Sequence, residues 1–473
     1  MSRNGNRLPR TLPRADADGR LFDDPLGFLA RARALHGDAF VLREPGPIFS
    51  RSPDCNGAVA VFGAQHIKAV LGDIELYGMP VSAAQHLSLP PRLVNLNCGL
   101  HSMRGEQHAR HQRLLTRALG ERGIEEQREA VADGLEAFAA AWRTGRRIGL
   151  LGEMRRLALE VSTRMLLGGD DAESAALASK LQAYFQLRRE AAAPFNASAE
   201  ALRGELIARG TELDESLREH VRRSRGRAQS RTGGVVSRLA LLELEGGARA
   251  AEDELVAHAN VLFVSGTEPV AVSLTWTLLV LSQLPGLRRA LRQELAEASD
   301  GEAARARRGP TLLDSVLSES LRLLTPNALM ARVTTRPAAL GDFPLPARCE
   351  VVLCPFLAHR EPGPFPRPDV FLPSRWAAAR PSPYEYFPFG GGGHSCVGRH
   401  LALYVIKAAL SLLLPRYDIV LDGDQEIDWR IHIMLTPRND PAVKLLAPDA
   451  PPAQAGRLRG PVAELISLDG WNE

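Results

Sequence analysis

The sequence predicts a mainly α-helical protein with small β-sheets, and three observations carry that expectation. From Gly105 to about Arg222, apolar residues such as Leu114, Leu115 and Leu119 recur at three- to four-residue spacing, the mark of amphipathic helices. Residues 253–284 form a long apolar run opened by acidic side chains and stopped by Pro285, the punctuation of one helix. Beyond residue 324 the chain turns Pro-rich and irregular, with strand-like stretches such as 350–353, before a last helical run at 397–414.

In chain order, residues 1–23 are polar and rich in Arg, Asp and Pro, and read as a flexible tail. They contain no apolar stretch long enough for a signal peptide or anchor. Asp24 and Pro25 open a short helix to His36, with Leu26, Phe28, Leu29 and Leu35 along one side. Strands are expected at 39–42 and 58–62. The basic, Gly- and Ser-containing segment 222–234 reads as an exposed connector. The apolar core of the long helix, 261–281, has the length to span a bilayer. Glu268 and Pro269 lie near its centre and no basic flank is close, so a buried central helix of a large soluble domain fits better. Residues 311–324 form another helix. A β-like stretch ends near Leu446, which leaves 24–446 as one catalytic unit and 447–473 as a C-terminal extension.

The 473 residues are 45% hydrophobic and 24% charged, ordinary globular proportions that exclude a disordered, collagen-like or disulfide-dense chain. A net charge of +3 is too small to imply nucleic acid. Four lysines stand against 54 arginines, a bias from which no function is drawn. The five cysteines are thinly spread, with no CxxC pair and no zinc spacing, which argues against a disulfide framework and for a cytoplasmic protein.

The most informative stretch is Phe389 to Gly398, FGGGGHSCVG. Four consecutive glycines let the backbone approach a flat ligand or make turns closed to bulkier residues. Cys396 follows at once, at the start of an apolar helix whose N–H groups and positive end favour thiolate. A phosphate-cradling reading fails, because the lysine and hydroxyl residue of a P-loop and the acid of a dinucleotide site are missing.

This stretch resembles the haem loop F-G-x-G-x-H-x-C-x-G of the cytochrome P450 family. Phe389, Gly390, Gly392, His394, Cys396 and Gly398 match it position by position. The other motifs follow the family's order over 24–446. Glu319-Ser320-Leu321-Arg322 is an ExxR whose two charged residues share a helix face. Pro373-Ser374-Arg375-Trp376 supplies the arginine that meets it, and His359-Arg360-Glu361-Pro362 resembles the family's H-R-[DE]-P. The resemblance implies a P450-like fold of soluble bacterial type, with haem b held between the central distal helix and the helix that follows the cysteine loop. It makes Cys396 the iron ligand, pushing electron density toward the opposite face. His394, Arg332 and His108 would hold the haem propionates. Where the family has an arginine four residues after His108, this chain has Gln112, with Arg113 one step further round. His101 and His111 read as ordinary polar-face histidines.

The family's distal helix carries [AG]-G-x-[DE]-T above the iron. Here it reads Ser265-Gly266-Thr267-Glu268-Pro269, so the acid is kept and the usual threonine is proline. Proline removes an N–H and crowds the carbonyl four residues back, which predicts that the helix opens at Ser265. The Ser265 side chain shares the face of residue 269 and could replace the lost hydroxyl, acting with Glu268 and beside Thr267; equally, it could satisfy backbone groups at the kink. Two reaction classes stay open: oxygen-dependent monooxygenation or oxidative coupling of an apolar small molecule in secondary metabolism, and oxygen-independent isomerisation, dehydration or peroxygenation. A non-enzymatic haem sensor has no appended signalling motif behind it.

No flavin or iron-sulfur sequence is attached, so a separate ferredoxin or flavodoxin with its reductase, or peroxide, is expected. Arg399, His400 and Lys407 could supply positive charge for docking such a carrier. A monomer without a membrane anchor is expected. Pocket segments are anticipated at 81–100, 181–206, the distal helix and from Leu329 onward, with 89–99 as a flexible lid.

Overall fold

A computed structural model describes residues 7–15, 20–50, 52, 54–80, 88–169, 171–192, 201–226, 234–245, 247–298, 310–431, 434–448 and 455–471. Residues 81–87 and 193–200 of the expected pocket segments, and 227–233 of the expected connector, lie outside the described residues.

Helix α1 (Pro25–His36) starts where Asp24 accepts the Gly27 N–H at 2.9 Å, with Pro25 at the first position, where its missing donor is harmless. It buries Leu26, Leu29 and Ala32, whereas Leu35, expected on the same side, is 78% exposed because it falls in the last turn beyond the buried stripe. Strands β1 (Ala39–Arg43), β2 (Gly57–Val61), β3 (Tyr77–Gly78), β4 (Met330–Thr334) and β5 (Cys349–Leu353) make one sheet in the order β1-β2-β5-β4-β3. Within this sheet, among the described residues, only the β2–β5 pairing is parallel. Helix α2 (Ala64–Gly72) follows β2.

The helical part comprises α3 (Pro91–Cys98), α4 (Gly105–Leu119), α5 (Glu121–Ala139), α6 (Leu150–Ser162), α7 (Ala172–Ala192), α8 (Arg203–Gly226), α9 (Glu252–Ser282), α10 (Leu312–Leu323) and α11 (Arg399–Arg416). Its axis is α9, 31 residues long, with Glu252, Asp253 and Glu254 in the first turn complementing the helix dipole. Long and apolar enough to cross a membrane, α9 instead runs through the core, packed against α3, α6 and α8. Every residue from Val270 to Ser282 is buried.

Three sequence expectations are corrected. The opening expected at Ser265 does not occur: α9 stays helical through Pro269, because the buried turns that follow hold the helix in line despite one missing hydrogen bond. The tail expected to be flexible is docked over 7–15, where Leu8 and Leu12 are buried and residues 13–15 run beside β1 through Ala15 N–H to Val41 O (2.9 Å) and Val41 N–H to Pro13 O (2.8 Å). Apolar residues hidden in an Arg- and Pro-rich composition make that contact. The expected lid is the ordered helix α3, tied down by Asn95 to the Asp253 carbonyl (3.0 Å) and by an ion pair of Arg92 with the buried Asp214.

At the other end, residues 455–471 return to the core. Leu458–Arg459 pair with Gln425–Glu426, and Val462 and Ile466 are buried. The first part of the expected connector, to Gly226, is the end of α8.

Candidate active site

The site is built around a buried carboxylate. Glu319 and Arg322 lie one turn apart on α10 and have no exposed surface. Glu319 accepts hydrogen bonds from Arg322 Nε and Nη2, Arg375 Nε, Trp376 Nε1 and the Leu372 N–H, all at 2.8–3.0 Å. Arg322 spends its other donors on the carbonyls of His359 (2.9 Å), Pro368 (2.6 Å) and Val370 (3.2 Å). His359 Nε2 in turn accepts the Phe387 N–H at 3.0 Å. Three distant motifs thus converge and fix the chain entering the cysteine loop. Charges out of water are tolerated here because every donor of Arg322 and both oxygens of Glu319 find partners.

The loop turns tightly. Gly390 N–H bonds the Phe387 carbonyl and Cys396 N–H bonds the Phe389 carbonyl, both at 2.9 Å. Gly392 has φ +63°, and a Cβ there would overlap the Leu71 carbonyl at the end of α2. That glycine therefore serves a close approach to protein backbone. Cys396, three residues before α11, is exposed by surface area. Burial nonetheless raises its pKa, against the lowering influence of the Gly398 N–H and the Arg399 charge. The sulfur thus has protein around it and still keeps accessible surface. The thiolate expected from the helix end alone is not favoured in the free chain; anionic sulfur needs a cation beside it.

Next to the loop lies a group of basic side chains with few counter-charges. His108 of α4 is buried, with Nε2 unpartnered, and its ring meets that of His394 edge-on at 4.6 Å. Arg332 of β4 is 4% exposed and, among the described residues, holds only the Ala331 carbonyl at 2.8 Å; burial lowers its pKa to about 10. His394 is pushed down to about 4 by burial first, then by Arg332, His108, His101 and Arg104. His101, Arg104, His108 and His394 border one cleft with Glu75, and the charge of Arg332 acts on His394 from nearby. Gln112 points elsewhere, donating to the Gly393 carbonyl at 2.6 Å, so it braces the loop. His101, read from sequence as an ordinary surface residue, joins the basic group. It sits in a short turn before α4 with no periodic relation to His108, which hid it.

Helix α9 is fully buried from residue 270 onward but keeps surface at Val261, Leu262, Val264, Ser265, Gly266, Thr267 and Pro269. Ser265 is exposed and its hydroxyl makes no hydrogen bond to the described residues. Pro269 has no N–H for the Ser265 carbonyl. Thr267 donates to the Phe263 carbonyl at 2.6 Å. Glu268 is held by Arg155 of α6, through Nε at 3.0 Å and Nη2 at 2.5 Å, with Arg189 at 3.9 Å.

Of the residues expected at the site, Cys396, Phe389, His394, His108, Arg332 and Gly398 come together, with Gln112 behind the loop and Ser265, Thr267 and Glu268 on the distal helix. Of the charges expected to dock a carrier, Arg399 and His400 are exposed, whereas Lys407 is engaged by Asp314 at 3.0 Å. The donor set fits a haem. An accessible, unpaired cysteine can take the iron, and the orphaned His108 Nε2 with Arg332, His394 and His101 offers donors to two carboxylates.

Comparison with known proteins agrees. The family model "Cytochrome P450" matches residues 32–442. A Streptomyces melanosporofaciens protein, cyclooctatin synthase, is 30% identical over 429 residues, covering 86% of this chain and 88% of its own. Among solved structures, the retinoic acid-bound cyanobacterial CYP120A1 superposes with a TM-score of 0.76 at 19% identity, covering 93% of this chain and 100% of its own. The haem domain of cytochrome P450DA gives 0.75 at 19% identity, covering 93% and 98%. The protein with this Glu319-centred scaffold and cysteine loop is a member of the cytochrome P450 family of haem-thiolate monooxygenases.

Proposed function

We propose that this P450 carries out oxygen-dependent oxidation of an apolar small molecule, by insertion or coupling, with Ser265 handling protons in place of the threonine that Pro269 displaces. A haem bound at Cys396 would supply dioxygen activation. The observation that carries the reading is the Ser265 hydroxyl, exposed on the open stretch of α9 and bonded to nothing among the described residues, while its neighbour Thr267 is committed to backbone. A hydroxyl with a free hydrogen and free lone pairs can accept a proton from water on one side and pass one on the other.

His108, Arg332, His394 and His101 would orient the haem by its propionates, with Phe389 and Gly398 shaping the loop around the sulfur. The similarity to a protein named for making cyclooctatin supports a biosynthetic role in secondary metabolism. P450 chemistry of this bacterial type draws electrons from a redox partner. A ferredoxin or flavodoxin, docking near the exposed Arg399 and His400, is the carrier we infer, in a monomeric, cytoplasmic enzyme.

A second reading rests on Glu268. A carboxylate held by two donors of Arg155 hands on a proton only after leaving that pair, and this favours a peroxide-driven or oxygen-independent reaction. Turnover with dioxygen and reductant, compared with peroxide alone, separates the two. In Ser265→Ala, the first reading expects the fraction of reductant recovered as product to fall by several-fold with binding unchanged. Product formed with peroxide but not with dioxygen and reductant, or unaltered coupling in the variant, would overturn it.

A further inference from the structure

The cleft beside the cysteine loop is rich in bases but short of permanent charge. Burial holds His101 and His108 below their ordinary pKa; Arg332 and His108 add to the effect on His101, and Glu75 opposes it on His108. At neutral pH those rings offer hydrogen bonds to an anion, not fixed positive charge. Among the described residues that border the cleft, Arg104 alone carries a permanent positive charge, while Arg332 acts on the group from nearby. A haem brings two carboxylates to this place, and each is best met by a guanidinium.

Separate observations place the end of Arg104. A Cβ built on Gly78 of β3 would touch its Nη1 at 3.4 Å and lie 3.7 Å from Nη2, so the guanidinium is laid against that strand. Gly78 pairs with Val333, the neighbour of Arg332 on β4, which brings Arg104 and Arg332 to the same edge of the cleft. Arg104 is also among the charges that depress His394. It stays exposed, and its guanidinium makes no hydrogen bond or ion pair with the described residues, although Glu75 accepts the N–H of the adjoining Gly105 at 3.2 Å. Along the chain, Arg104 is the cap residue of α4, one turn before His108, and Gln112 lies one turn after it. Gln112 is spent on the Gly393 carbonyl. The charge that α4 lacks on that side of His108 is supplied from the other.

We propose that Arg104 is a propionate-binding residue of this chain, the second cation for the two carboxylates of the haem beside Arg332. This goes beyond the reaction inferred above and does not depend on its class.

The test follows haem release from the ferric holoprotein into an excess of apomyoglobin, read at the Soret band. Arg104→Gln should release haem about tenfold faster than wild type, the size of one lost charge-assisted hydrogen-bonded contact. Arg104→Lys should release it about threefold faster, because a point charge replaces a two-pronged donor. Arg113→Gln removes an exposed α4 arginine that pairs with Glu245, and should stay within about twofold of wild type. The decisive comparison repeats the measurement with haem dimethyl ester, whose propionates carry no charge. Wild type and Arg104→Gln should then release the ligand at rates within about twofold of each other. The proposal is overturned if Arg104→Gln keeps the wild-type rate with haem, or if its acceleration is as large with the ester, the result a purely structural role would give. The ferrous carbon monoxide spectrum of wild type, recorded first, tests sulfur ligation by itself, so a failure there is distinct from a failure at Arg104.

Discussion

Replacing Glu319 by glutamine keeps the shape of the scaffold and removes its only negative charge. The carboxylate accepts from Arg322, Arg375, Trp376 and the Leu372 N–H at 2.8–3.0 Å with no exposed surface. In Glu319→Gln two guanidiniums lose their counter-ion, and the new NH2 group points a donor at donors. Removing one partner of a buried ion pair destabilises by ~3–5 kcal/mol, against a typical total of ~5–15 kcal/mol, so the loss should be about a fifth of the stability or more. The matched control is Glu245→Gln, which breaks the Arg113–Glu245 pair whose side chains are 49% and 61% exposed; ~0–1 kcal/mol is expected there. Urea unfolding followed by tryptophan fluorescence and the Soret band gives both differences from shifts in midpoint at a common slope. If Glu319→Gln loses no more than the control, burial of the charge is not what makes this network matter, and the argument for the scaffold fails.

Three other outcomes follow from the geometry. Cys396→Ser should abolish the red-shifted Soret band of the ferrous carbon monoxide complex; a band that persists would remove the sulfur from the iron. Ser265→Ala should uncouple reductant use from product, as set out above. The third concerns acid stability. His258 of α9 donates Nε2–H to His111 Nδ1 at 3.0 Å, since His111 Nε2 must carry the proton that faces Glu254 at 3.1 Å. Burial, then His111, pushes the His258 pKa from 6.5 down to about 4, with Glu254 opposing. The unfolded chain then binds the proton more readily, so stability falls as pH drops from 6.5 towards 4 and levels off outside that window, by at most about 3 kcal/mol. His258→Gln, which keeps a donor to His111, should flatten the urea midpoint across that interval; an unchanged slope would assign the acid sensitivity elsewhere.

The legible part of this protein was what local pattern encodes. The long helix around residues 253–284, the cysteine loop and the ExxR pair could be read directly, because helix periodicity, glycine turns and i, i+3 spacing are properties of neighbouring residues. Phe389, Gly392, His394 and Cys396 carried the family resemblance from which the expectation of a haem ligand at Cys396 came. Packing decided the rest. Leu8 and Leu12 dock a tail whose composition reads as solvated, and buried turns after Val270 carry α9 through Pro269. Arg155, 113 residues away in sequence, holds Glu268, and His101 joins His108 and His394 from a separate turn. Whether a charge is free or paired, and whether a thiol has protein around it, depends on groups that only the tertiary fold brings within a few ångströms. Electrostatic and hydrogen-bond energies fall off over that distance, so the fate of Glu268 and Cys396 is written in three dimensions.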